Sequence, residues 1–126
     1  MSKRFEPTFE SLRGYSAPEW FRDAKFGIWS HWGPQSVPMF GDWYARNMYI
    51  KDSEEYQHHL KHWGSHKDFG YKDFIPMLTF EKYQPQEWIK LFREAGADYI
   101  VPVAEHHDGF QMYESQLSHW NAVEMG

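Results

Sequence analysis

Apolar positions along this chain change period several times, and each change predicts an element. In PQEWIKLFREAG, Trp88, Leu91, Phe92 and Ala95 fall at i, i+3, i+4 and i+7, one face of a helix opened by Pro85 and closed by Gly96. The next segment, ADYIVPVAEHH, is apolar without alternation, which predicts a strand covered on both faces and ending at His106 and His107. Further upstream, DSEEYQHHLKHWG predicts a helix with Asp52 or Ser53 as N-cap, Glu54 and Glu55 at its positive end, and Gly64 as its stop. SAPEWFRDAKFG predicts another, with Ser16 as N-cap, Pro18 in the first turn, Glu19 completing a capping box and Gly27 as punctuation. FGIWSH reads as a short strand ending at His31, GDWYARNMYI fits helix or loop, and residues 1 to 15 carry little pattern.

A helix, a glycine, an apolar strand and then polar residues at the strand's C-terminal end make one arm of a βαβ unit. FGIWSH is the partner strand, and the residues between form an inserted excursion. The predicted fold class is therefore α/β with a parallel sheet. Such sheets bind ligands beyond the carboxyl ends of their strands, where His31 and the His106–His107 pair fall. Two parallel strands do not make a stable sheet, and an eight-fold barrel takes about 250 residues. The 126 residues are thus expected to be an incomplete part of a larger barrel.

Seven Trp, eight Tyr and ten Phe exceed what one modest core needs, so some aromatic surface is expected to line a cleft or an interface. The net charge of −5, with thirteen scattered Lys and Arg, argues against nucleic acid, which calls for a basic stripe. No apolar run is long enough for a membrane span, and MSKRFEPTFESLRG has no signal-peptide apolar stretch. With no cysteine the compartment stays open, cytoplasmic if residue 1 is the true start. The oligomeric state is unknown.

Three chemistries compete for the predicted pocket. His58, His62 and His66 recur at helical spacing, as metal ligands would, and His31, His106 and His107 could converge at strand ends. But Gly64 and Ser65 break the helix before His66 and no strand-end HxH pair is present, His31 being flanked by Ser30 and Trp32, so no metal is expected. Asp42, Glu105, Asp108 and Glu114 are carboxylates placed near it, and glycoside cleavage needs two facing one bond. Asp108 before Gly109 reads as a turn pair. Asp42, between Gly41 and Trp43, reads either as an N-cap or as a hydroxyl acceptor beside a flat ring. Last, a neutral imidazole has one donor and one acceptor, so convergent histidines can read the hydroxyls of a sugar without adding fixed charge. A carbohydrate fits an aromatic-rich cleft of this kind best.

KFGIWSHWGPQSVP, GDWYAR, EWIKLFREAGADYIVPVAEHHDGF and SHWNAVEMG together resemble the amino-terminal part of the α-L-fucosidases of glycoside hydrolase family 29, over residues 18 to 126, with 1 to 17 as a leading arm. The resemblance implies a (β/α)8-like barrel and a retaining, exo-acting hydrolysis of terminal α-L-fucose from fucosylated glycans, with no cofactor. It implies that His31, His106 and His107 bind the fucose and that Asp42 and Trp43 contact it. Many relatives carry Glu where this chain has Asp42. The nucleophile and the acid/base lie on later strands in the family, so no catalytic residue is expected within these residues and the chain alone is expected to be inactive. The alternatives are a non-catalytic carbohydrate-binding fragment or pseudoenzyme and, further off, a metal-dependent hydrolase barrel.

Overall fold

The computed structural model describes residues 5–125. Two parallel strands, β1 (Gly27–Ser30) and β2 (Tyr99–Pro102), pair in the register Gly27↔Tyr99 through Ser30↔Pro102. Asp98 N donates to Phe26 O and Val103 N to Ser30 O, carrying the ladder one step past each end. Between the strands the chain makes the expected long excursion and returns through helix α5 (Pro85–Glu94), counted after α1 (Phe9–Leu12), α2 (Glu19–Ala24), α3 (Tyr44–Asn47) and α4 (Glu54–His62). A last turn of helix, α6 (Ala122–Met125), follows β2. The described residues thus form a small α/β unit built around a parallel pair.

Local chemistry sets most element ends. The Ser53 hydroxyl accepts from Tyr56 N at 3.0 Å, so Ser53 rather than Asp52 caps α4. Gly64, at φ +84°, sits just past the α4 C-cap Trp63. At the end of α5, Gly96 N donates to Arg93 O and Ala97 N to Phe92 O, a Schellman closure around Gly96 at φ +88°. The segment GDWYARNMYI resolves into α3. The pattern-poor leading segment still holds one helical turn, α1, because Thr8 accepts from Ser11 N.

Three expectations are corrected. Pro18, not Ser16, is the N-cap of α2, because its extended ψ of 146° keeps the residue outside the helix. Lys25 at φ +60° turns the chain after α2, and Gly27 lies inside β1 instead. A Cβ at Gly27 would meet the Tyr99 ring at 2.3 Å, so the glycine makes room for that ring. β2 is not covered on both faces: Ile100 is 36% and Val101 47% exposed. No residue of α5 is buried, and Leu91 on its apolar face is 60% exposed. The apolar pattern encodes a capacity for burial that no element among the described residues fulfils.

The core sits instead in the excursion. Tyr44 and Met48 pack with Tyr71 and Phe74, flanked by Val37, Phe40, Ala45, Trp63, Phe69 and Trp120. Tyr44 and Met48, one helical turn apart, present a single face of α3 and the residue after it to this cluster. His59 is fully buried beside it, with Nε2 donating to Phe69 O at 2.9 Å. The excess aromatics therefore have a structural use, tying the excursion together.

Candidate functional site

EHHDGF does not continue β2. Met112 N donates to Ala104 O, and Glu105 bridges Gln111 antiparallel, so residues 106 to 110 form the tip of a narrow loop. Gly109 N donates to His106 O, and Gly109 takes φ +74°. Strand alternation no longer applies in a turn, so adjacent side chains can face the same space. The two imidazole centroids are 4.4 Å apart, edge to face.

Asp108 anchors this tip, as the turn reading expected. Its Oδ1 accepts from Phe110 N at 2.9 Å, its Oδ2 accepts from the Tyr71 hydroxyl, and its carbonyl accepts from Trp120 Nε1. Burial first, and then the Asp108 carboxylate, push the Tyr71 hydroxyl well above the usual tyrosine range, so it stays a donor. Tyr71 escaped the sequence reading because it is 37 positions away from its partner and no local pattern links them.

The five expected residues meet in one cleft. His31, Asp42, Trp43, His106 and His107 line an open cavity of about 620 Å³, with Trp29, Glu105 and the Val101–Ala104 stretch completing the wall. His31 follows β1 and His106 follows β2, so the parallel pairing brings their rings to 4.7 Å. Asp42 arrives from the excursion and bridges both: His31 Nε2 lies 3.0 Å from Oδ1 and His106 Nε2 3.4 Å from Oδ2. The helix-cap reading of Asp42 fails, since Trp43 is the N-cap residue of α3 and no side chain caps it. Trp43 stacks on His107 at 4.3 Å and 14°. Trp29 was missed, although it lies two residues before His31, and on a strand that spacing points both side chains to one face.

Burial works against the Asp42 charge, but the hydrogen bond from His31 and the charges of His106 and His31 outweigh it and hold the carboxyl below its usual range. The site thus presents an ionised acceptor, two imidazoles oriented by it, and two flat aromatic faces. Glu114 lies outside this lining, and Asp108 borders a neighbouring hollow with Arg46 and Tyr49. His58, His62 and His66 do not converge: His66 Nε2 donates to Met48 O at 2.6 Å while its ring stacks on His59. Among the described residues the group spaced for a metal ion is His31, Asp42 and His106. No helix among those residues is long and apolar enough to cross a membrane.

The comparisons with known proteins agree with one another. Residues 1–126 match the family model described as alpha-L-fucosidase. The chain is 39% identical over 125 residues to plasma alpha-L-fucosidase of Homo sapiens and 38% over 124 residues to tissue alpha-L-fucosidase of Rattus norvegicus. These alignments cover 98% and 97% of this chain but 27% of each relative, so the chain spans about a quarter of their length. The crystal structure of Thermotoga maritima alpha-fucosidase superposes with a TM-score of 0.86 at 39% identity, over 96% of this chain and 31% of that one, and its complex with fucose does equally well. Matched over its whole length by the family model and to relatives of this identity, the chain belongs to the α-L-fucosidase family.

Proposed function

We propose that this chain supplies the sugar-holding wall of a retaining, exo-acting α-L-fucosidase that releases terminal α-L-fucose from fucosylated glycans. The observation that carries the reading is the convergence of His31, Asp42, Trp43, His106 and His107 on one open cleft. A 6-deoxy-hexose carries hydroxyls around its ring together with an apolar patch made by its methyl and ring C–H groups. The imidazoles and the Asp42 carboxylate pair with the hydroxyls, and the Trp43 and Trp29 faces take the apolar side.

In this reading β1, α5 and β2 are consecutive parts of a (β/α)8-like barrel, residues 18 to 126 belong to it, and residues 1 to 17 are a leading arm. The exposed flanks of β2 and α5 are where further barrel elements pack. Hydrolysis with retention requires a nucleophile and an acid/base about 5–5.5 Å apart across the glycosidic bond. The family resemblance implies that these two groups lie on later strands, so in this reading no carboxylate of these residues takes those roles and no cofactor is involved; Asp42 contacts two imidazoles and Asp108 holds the loop. The second reading, a carbohydrate-binding protein without hydrolysis, rests on those same contacts of the two carboxylates.

The deciding experiment uses the protein at its natural length, with His106→Phe and His107→Phe. Each substitution keeps an aromatic ring and removes donor and acceptor, so a sugar hydroxyl loses its partner at a cost of about 1–3 kcal/mol, one to two decades in kcat/KM on an aryl α-L-fucoside. The thermal midpoint should hold. Unchanged kinetics in both variants would sink the proposal, and fucose binding without turnover by the wild type would favour the second reading.

A further inference from the structure

His31, Asp42 and His106 offer two imidazole nitrogens and a carboxylate oxygen, all within 4.8 Å of one another. Three donors around one tetrahedral ion at about 2.0–2.2 Å stand about 3.3–3.6 Å apart, so the group has up to about 1.5 Å to close on binding. His31 follows β1 directly and His106 lies in the loop beyond β2, and the Asp42 side chain, 53% exposed, lines the open cleft with them. Each N–H now aimed at Asp42 is a proton standing where a metal–nitrogen bond would stand. One divalent ion takes the place of both protons, each neutral ring carrying its proton over to Nδ1, and the carboxylate stays as countercharge.

We propose that this triad is an exchangeable binding site for divalent transition metals of the zinc type, and that metal and sugar exclude each other there; the exclusion rests on the sugar-holding reading above. Two imidazoles and one carboxylate suit zinc, nickel or copper(II) rather than magnesium or calcium, which take oxygen ligands. The open mouth of the cleft leaves the remaining coordination positions to water. One feature makes the ion exchangeable rather than resident: His106 Nδ1 is buried without a hydrogen-bond partner. A metal on Nε2 moves the ring proton to Nδ1, where ligating histidines ordinarily donate it to a carbonyl or carboxylate. Here it meets none, and the affinity falls accordingly. The metal is thus an inhibitor of the site and no part of the hydrolysis.

Two surface groups are rival chelators: His58 and His62, one turn apart on α4 with rings 4.5 Å apart, and the exposed His119–Glu124 pair. The test titrates the protein at its natural length with zinc chloride alone, by calorimetry in a non-chelating buffer. The wild type is compared with Asp42→Asn, His31→Gln, His62→Gln and His119→Gln. The expected result is a saturable event weakened by Asp42→Asn and His31→Gln at least as much as the roughly 10–100-fold that outer-sphere changes cost. The other two variants should leave that event unchanged, and the imidazole nitrogen signals of His31 and His106 should shift together. No zinc event, or one that survives Asp42→Asn and His31→Gln, overturns the proposal. L-Fucose is then titrated with and without saturating zinc, and competition supports the exclusion. Zinc bound at the triad in a protein that never binds fucose would remove the sugar reading and leave the metal site standing. Fucose and zinc bound together would overturn the exclusion.

Discussion

Tyr71→Phe removes one oxygen atom and tests whether the EHHDGF tip is held in place from the excursion. The Tyr71 hydroxyl is buried and donates to Asp108 Oδ2, while Oδ1 keeps the Phe110 N–H. A hydrogen bond to a charged group contributes about 1.5–3 kcal/mol net, and its loss leaves a half-buried carboxylate oxygen unpaired, so the expected destabilisation lies in that range. The effect should extend to the site, because Asp108 is the next residue after His107 and the released tip loosens the His107–Trp43 stack. The assay is a double-mutant cycle of Tyr71→Phe and Asp108→Asn by denaturant unfolding, with the fucose dissociation constant measured for each protein. A coupling energy of about 1 kcal/mol or more, with weaker fucose binding in each single variant, is expected. Additivity within about 0.3 kcal/mol would refute the anchor. Coupling in stability without any change in fucose affinity would confine it to the fold.

Three further outcomes are expected. Burial foremost, with the charges of His66 and His58, outweighs the bond to the Phe69 carbonyl and holds the His59 imidazole below its ordinary 6.5. The unfolded chain therefore protonates first, so stability declines as pH falls below about 6.5, and His59→Gln should flatten that slope even though it lowers stability overall. An unaltered slope would show that other groups carry the acid response. Gly27→Ala sets a methyl against the Tyr99 ring and should cost about 1–3 kcal/mol, as overpacking does, read as a lower denaturation midpoint; a neutral result would mean that the ring simply moves aside. Dialysis of the protein at its natural length against a strong chelator should leave fucosidase activity intact or raise it, whereas activity lost and restored by zinc would contradict both the hydrolytic reading and the inhibitory metal.

The sequence by itself determined whatever depends on neighbours within a few residues. A cap for α4 at Asp52 or Ser53, Gly96 closing α5 and the turn at Asp108–Gly109 follow from side-chain and backbone chemistry that needs no distant partner, and the structure then picks Ser53. The two apolar strands and the helix between them were legible for the same reason, and with them the place of His31 just after β1, whereas the strand expected to run on to the histidine pair stops at Pro102 and the pair sits in a loop tip. Local pattern misled where the backbone of a single residue decided the outcome, as when Pro18 displaced Ser16 as cap and Lys25 took the turn expected at Gly27. Only the tertiary structure decided what the carboxylates do. Asp42 next to Trp43 suits a helix cap as well as a hydroxyl acceptor, and it became a bridge because β1, β2 and the excursion bring His31 to one of its carboxylate oxygens and His106 to the other. The bond between Tyr71 and Asp108 was equally invisible, since residues 37 positions apart meet through loop closure and core packing, for which no sequence period exists.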